Sequence, residues 1–176
     1  MTGQLLVPAP EYGLYSVFLS QLWSMSRALD KALNGHDLSL LRKGSDSRFS
    51  DRLETELKSI GGGPSPLMSA TRAITDRIAQ VEKEEPLLLL AHDFARASRD
   101  PNGVGATGQL ARLILDRREG EGRVGYLPDP FEPFFDALER IDLPPLLRRR
   151  LREEGVRAQG LNLRFVREVH QTYVAQ

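Results

Sequence analysis

The apolar pattern between residues 11 and 34 constrains the fold of this chain more than any other feature. Large apolar side chains recur there at spacings of three and four residues, which places them on one face of an α-helix. They are Leu14, Phe18, Leu22, Met25, Leu29 and Leu33. Aromatic residues widen that face, and a helix apolar over so wide an arc is typical of packing on two sides. The pattern therefore predicts a helix over residues 11–34, ended by Gly35.

Similar patterns predict helices along the rest of the chain, and no segment shows the alternation of a β-strand. The second helix covers residues 50–60 and is broken by the glycines at 61–63. The third begins at Ser65-Pro66, a good cap followed by a good first position. Further helices are predicted over residues 85–99, 105–119, 130–141 and 143–173. The fold class is therefore all-α, a helical bundle in a single domain of residues 1–176.

Composition and charge exclude several classes of function. Lys+Arg and Asp+Glu both number 24, and a net charge of zero is not that of a nucleic-acid-binding surface. The absence of cysteine excludes disulfides, thiolate metal sites and a cysteine nucleophile. The longest apolar run, Leu87–Ala91, is too short to span a bilayer, and residues 1–10 do not resemble a secretory signal. We therefore expect a soluble cytoplasmic protein that binds neither nucleic acid nor membrane.

One stretch after residue 85 carries a more specific pattern. Residues 88–96 read Leu-Leu-Leu-Ala-His-Asp-Phe-Ala-Arg, and Asp100 and a Gly-Gln-Leu-Ala run at 108–111 follow. This resembles the distal helix of heme oxygenases, in which an alanine-histidine pair precedes an aromatic residue, an arginine and a glycine-rich run. Residues 148–165 resemble the last helix of that family, and residues 12–33 resemble its second helix. The resemblance covers nearly the whole chain and implies the heme-oxygenase-like bundle.

The resemblance also implies a cofactor, heme or a bilin, and residues that would serve it. Asp100 falls on the family's aspartate, which holds a water network over the iron and delivers protons to bound oxygen. The family's glycines let the helix backbone bend and approach the flat macrocycle. The candidate cofactor-binding residues are Phe94, Arg96, Gly103, Gly105, Gly108, Gln109 and Phe135. The alternative for Asp100 is a simple turn, Asp-Pro-Asn-Gly, in which its carboxylate bonds its own backbone.

Three departures from the family pattern point away from heme oxidation. The family's iron-ligating histidine lies on a helix before the one that begins near Tyr12, and this sequence has no histidine there. Pro101 and a few extra residues predict an irregular segment over 100–106 in place of a continuous bent helix. Phe131 and Phe135, with acidic residues nearby, stand where the family has basic residues for the heme propionates, and carboxylates there would repel propionates.

The three histidines are the remaining candidates for an iron ligand. His92 lies in an apolar run, where a histidine is more often a buried group with a hydrogen-bond partner. His36 falls in a loop, and His170 lies near the end of the sequence. We therefore predict no metal ligand, with His92 and His36 as outside candidates.

Two surfaces are candidates for a partner. The missing helix is expected to leave an apolar groove beside Tyr15, Leu22 and Trp23, which a homodimer or another protein would cover. The basic cluster on the last predicted helix is expected to be solvated, with an acidic partner as the alternative. Its members are Arg148, Arg149, Arg150 and Arg152.

Two functions stay open. One is a divergent heme oxygenase that cleaves heme to biliverdin, iron and CO, or a relative that binds heme or a bilin. The other is a pseudoenzyme, a binding or regulatory module that has kept the fold and lost the chemistry. The missing axial ligand favours the second hypothesis.

Overall fold

Helices and their connections make up the whole described part of the chain. The computed structural model describes residues 13–38, 49–97 and 142–174. Its α-helices are α1 (Gly13–Gly35), α2 (Phe49–Ser59), α3 (Ser69–Glu84), α4 (Leu89–Ala97) and α5 (Pro145–Val169). A 3₁₀ turn, Pro86–Leu88, leads into α4, and a π turn, His170–Val174, follows α5. No strand occurs within these ranges, which confirms the all-α class. The helices predicted over 105–119 and 130–141 lie outside them.

The central helix is α1, which contacts α2, α3 and α4. Its predicted apolar face is buried, with Phe18, Leu19 and Leu33 at the centre of the core. The ring of Phe18 stacks on that of Phe165 from α5, with the centroids 6.1 Å apart. Packing on more than one side is thus confirmed, and it explains why so wide an arc of α1 is apolar. In the described ranges, no helix has the length and hydrophobicity that crossing a bilayer requires.

The start of α3 differs from the prediction, because α3 begins at Ser69 and not at Ser65. The buried side chain of Gln21 holds the preceding segment against α1. Its Nε2 donates to Ser65 Oγ at 2.9 Å and to the Pro66 carbonyl at 3.0 Å. Its Oε1 accepts from Met68 N at 2.9 Å. A buried amide with all these partners stabilises an extended backbone, so the Ser-Pro pair does not start the helix.

The N-terminus of α3 is capped by a side chain of α5. The carboxylate of Glu168 in α5 accepts from Ser69 N at 3.0 Å and from Ala70 N at 2.6 Å. These N–H groups have no partner inside their own helix, and a carboxylate at a helix N-terminus also complements its dipole. Glu168 therefore supplies the cap that the residue before α3, Met68, lacks.

The groove expected beside Tyr15, Leu22 and Trp23 is closed at Tyr15 and Leu22. Tyr15 and Leu22 are only 3% and 6% exposed. The ring of Tyr15 stacks on Phe18, and its hydroxyl donates to Glu56 of α2. The prediction of an open groove is therefore wrong for Tyr15 and Leu22, whereas Trp23 is half-buried. The expected homodimer or protein partner stays a prediction, without this surface as its basis.

Gly62 lies at a close approach between α1 and the end of α2, and we expect Gly62→Ala to destabilise the fold. An added Cβ would overlap Ser16 Oγ and lie 2.6 Å from Leu57 Cδ1. Overpacking of this kind lowers the free energy of unfolding by about 1–3 kcal/mol. The measurement is urea denaturation followed by circular dichroism. The matched control is Gly63→Ala, whose added Cβ meets nothing within 4 Å. Equal losses from the two variants would show that the close approach is not the cause.

Candidate functional site

A largely buried arginine of α4, 15% exposed, forms ion pairs with two carboxylates. Arg96 Nη1 donates to Asp30 Oδ1 of α1 at 3.1 Å, and its Nη2 donates to Asp93. Asp30 also accepts from the backbone N of Ser50 at 3.2 Å, and the guanidinium lies 5.2 Å from the ring centroid of Phe49. We call these residues the Arg96 cluster. It ties α1, α2 and α4 together, and the two carboxylates compensate the charge of the guanidinium.

A second buried cluster ties α3, α4 and α5 together. Arg77 donates to both oxygens of Glu154, Nε to Oε1 at 2.9 Å and Nη2 to Oε2 at 2.5 Å. His92 Nε2 lies 2.9 Å from the same Glu154 Oε1. Glu154 is only 4% exposed, so its charge depends on these partners. We call Arg77, His92 and Glu154 the Glu154 cluster.

The protonation states of the Glu154 cluster follow from its surroundings. Burial lowers the pKa of His92 and outweighs the opposing hydrogen bond with Glu154. Burial acts to raise the pKa of Glu154, but the hydrogen bonds from Arg77 and His92 outweigh it and lower that pKa. At neutral pH, Glu154 is therefore ionised, and His92 is neutral and donates its Nε2–H. His92 is thus a buried group with a partner, as its apolar surroundings indicated.

A cavity of about 490 Å³ lies between α4 and α5, and we call it the α4–α5 cavity. Most of its wall is apolar, which is typical of a small-molecule site of this size. It is lined by Leu90, Ala91, Phe94, Leu143, Arg148, Leu151, Arg152, Gly155, Val156 and Gln159. His92 and Glu154 each adjoin a lining residue in the sequence, so the Glu154 cluster fixes the two walls relative to each other.

A second, more polar cavity of about 470 Å³ adjoins the first, and we call it the polar cavity. The two cavities share Leu143, Arg148 and Arg152. The polar cavity is otherwise lined by Asp142, Pro145, Arg149 and Glu153. An apolar space and a charged space therefore meet at two arginines one helical turn apart.

The structure places two of the predicted site residues, Phe94 and Arg96, in different surroundings. Phe94 lines the α4–α5 cavity, whereas Arg96 does not line it and instead bonds the carboxylates of its own cluster. The other candidates and the predicted irregular segment 100–106 lie outside the described residues. Those candidates are Asp100, Gly103, Gly105, Gly108, Gln109 and Phe135.

Few features of the sequence predict the Arg96 cluster or the Glu154 cluster. Glu154 stands in a run of charged residues, which by itself is typical of a solvated helix face, and Arg77 lies far from it along the chain. The available signal is in α4, where His92 and Arg96 stand four residues apart on a mostly apolar helix. Polar side chains on a buried face require partners, although the sequence does not say which residues those are.

Comparison with known proteins gives two similarities. No family model matches the sequence. A heme oxygenase from Guillardia theta is 27% identical over 112 residues, which is 60% of this chain and 47% of the relative. The chain thus spans about half the length of that curated relative. The crystal structure of heme oxygenase-2 from Synechocystis sp. PCC 6803, in complex with heme and NO, superposes with a TM-score of 0.65 at 23% identity. That match covers 96% of this chain and 76% of the other.

The structural similarity shows the fold of the chain. The fold is that of the heme oxygenases, an all-α bundle, as the sequence predicted. Over 112 residues the sequence is also similar to that of the curated heme oxygenase.

Proposed function

We propose that this protein binds a tetrapyrrole, heme or a bilin, in the α4–α5 cavity and does not turn heme over. The observation that carries the proposal is the cavity itself, an apolar space beside Phe94 with two arginines at its edge. Apolar walls suit the face of a macrocycle, and guanidinium groups suit its carboxylates. The two walls belong to the helices whose sequences resemble the distal and last helices of heme oxygenases. The solved relative is itself a complex with heme, which supports the choice of ligand.

The described residues fit the macrocycle but not an axial bond to its iron. All three histidines of the chain lie in the described ranges, and none of them lines the α4–α5 cavity. His92 Nε2 is bonded to Glu154, and His36 Nε2 lies at the surface, 3.8 Å from Glu82 Oε1. His170 is exposed in the turn after α5. Bound heme supplies an iron whose oxygen chemistry is tuned by an axial ligand, and none of these imidazoles is placed to be one. A regulatory role and a cytoplasmic location belong to the same proposal.

Titration of the purified protein with hemin and with biliverdin tests the proposal. We expect both ligands to bind with a change in their absorption spectra. With hemin, a reductase and NADPH, we expect no catalytic formation of biliverdin, because no histidine of the chain lines the cavity. A sharp Soret band that decays to biliverdin over many turnovers would instead support the alternative, an active divergent heme oxygenase. Failure of both ligands to bind would contradict the binding proposal.

A pair of glycine variants locates the binding site. Gly155 lines the α4–α5 cavity, and a Cβ added there meets no atom within 4 Å, so Gly155→Leu places a side chain in the cavity without an internal clash. We expect binding to weaken by about tenfold or more, since the ligand loses part of its space. Gly160→Leu is the matched control, because Gly160 is equally open and lies on the same helix but does not line the cavity. Equal effects of the two variants would place the ligand elsewhere.

A further inference from the structure

We infer that Arg148 and Arg152 bind the acidic groups of a planar, apolar ligand whose body lies in the α4–α5 cavity. The inference rests on the proposed function, and it names the residues that select the ligand's charge. These anion-binding groups lie on α5, whereas the resemblance to heme oxygenases places them near Phe135.

The arginines at the start of α5 look equivalent in the sequence, but the structure divides them by partner. Arg149 Nε donates to Glu153 Oε1 at 2.8 Å, four residues along the same helix. Arg150 Nη1 lies 2.5 Å from Glu85 Oε2, at the start of the 3₁₀ turn before α4. These two cations are already paired with carboxylates, so neither is the first choice for an anionic ligand.

Within the part of the chain that the structure describes, Arg148 and Arg152 have no such ion pair. Arg148 Nη2 reaches only the Leu143 carbonyl, at 3.5 Å, and no carboxylate of the described ranges forms an ion pair with either guanidinium. The two residues are four positions apart on α5 and lie on the same side of the helix. Like charges at this spacing repel each other, and an anion between them relieves that repulsion.

The position of Arg148 and Arg152 indicates which kind of ligand they bind. Both residues line the α4–α5 cavity and also the polar cavity, so the pair stands at the boundary between an apolar space and a charged one. Two carboxylates also line the polar cavity, Asp142 and Glu153, and Glu153 is already bonded to Arg149. A ligand that places an apolar ring system against Phe94 would therefore present its edge to Arg148 and Arg152.

This arrangement predicts a preference for one class of ligand. An apolar planar molecule with carboxylates on one edge satisfies both spaces at once, because each guanidinium forms charge-assisted hydrogen bonds with a carboxylate. The same molecule with esterified carboxylates keeps the apolar contact and loses those bonds. The site should therefore discriminate biliverdin from its dimethyl ester.

The test compares biliverdin, biliverdin dimethyl ester and the anionic naphthalene dye ANS on three forms of the protein. The forms are the wild type, the double variant Arg148→Gln/Arg152→Gln, and the matched control Arg164→Gln, whose exposed side chain lies on α5 and lines neither cavity. We expect the wild type to bind biliverdin about tenfold more tightly than the ester, and the double variant to lose about that factor for biliverdin but not for the ester. The control is expected to bind all three probes as the wild type does. All these side chains are exposed, so circular dichroism should show the same fold in each form.

Each outcome decides between the two proposals. If biliverdin binds but neither esterification nor the double variant weakens it, the inference is overturned and the proposed function stands. If biliverdin does not bind but ANS does, and the double variant weakens ANS, the arginine pair serves another apolar anion and the tetrapyrrole proposal fails. If neither biliverdin nor ANS binds the wild type, both proposals are wrong.

Discussion

Replacing Glu154 by glutamine is expected to lower the free energy of unfolding by about 3–5 kcal/mol, the range for breaking a buried ion pair by removing one partner. The carboxylate is 4% exposed and accepts hydrogen bonds from Arg77 and His92. Glutamine keeps the shape of the side chain but leaves the Arg77 charge without its partner. Urea denaturation of the variant and the wild type, followed by circular dichroism, measures the difference.

The neighbouring residue offers a matched control. Glu153 is 60% exposed and pairs with Arg149 on the surface, so Glu153→Gln is expected to change stability very little. The two variants remove the same charge from adjacent positions of one helix and differ only in burial and partners. Similar stabilities of the two variants would show that the Glu154 cluster contributes nothing beyond a surface pair.

The second large effect is expected at Arg96, where Arg96→Met should also destabilise the protein by about 3–5 kcal/mol. Methionine fills much of the same space, but the buried carboxylates of Asp30 and Asp93 lose the guanidinium that lies between them. Removal of one of these carboxylates should therefore cost less in the variant than in the wild type. A double-mutant cycle with Asp93→Asn measures that coupling.

An exposed arginine serves as the control for this experiment. Arg149 pairs with Glu153 at the surface, and Arg149→Met is expected to leave the denaturation midpoint nearly unchanged. If Arg96→Met and Asp93→Asn were additive, the contact between these two side chains would have no energetic role, and the destabilisation would come from the lost ion pair with Asp30 or the lost packing on Phe49.

The helices of this fold could be predicted from sequence wherever the information is local. For α1 the apolar spacing predicts residues 11–34, and the described helix covers Gly13–Gly35. For α2 it predicts residues 50–60, and the helix covers Phe49–Ser59. The start of α3 could not be predicted in this way, because it is fixed by the distant side chains of Gln21 and Glu168.

The same distinction holds for the site. The stretch that resembles heme oxygenases contains Phe94, which lines the α4–α5 cavity, and Arg96, which does not. Phe94 and Arg96 lie two residues apart on the short helix α4. Only the packing of α4 on its neighbours determines which of them lines the cavity. Arg148 and Arg149 are adjacent and chemically identical, but Arg148 lines the α4–α5 cavity, whereas Arg149 does not and is paired with Glu153.

The cap that Glu168 provides has a consequence for the order of folding. The backbone N–H of Ala70 lies 98 residues before the carboxylate that binds it. During synthesis, α3 therefore emerges long before α5, and its first turn has no partner for its N–H groups other than water. An isolated helix of this length is marginal in water, so α3 gains most of its stability from tertiary contacts. The docking of α5 supplies both the cap and the ring of Phe165 against α1, so α3 and α1 gain these contacts only after α5 has been synthesised.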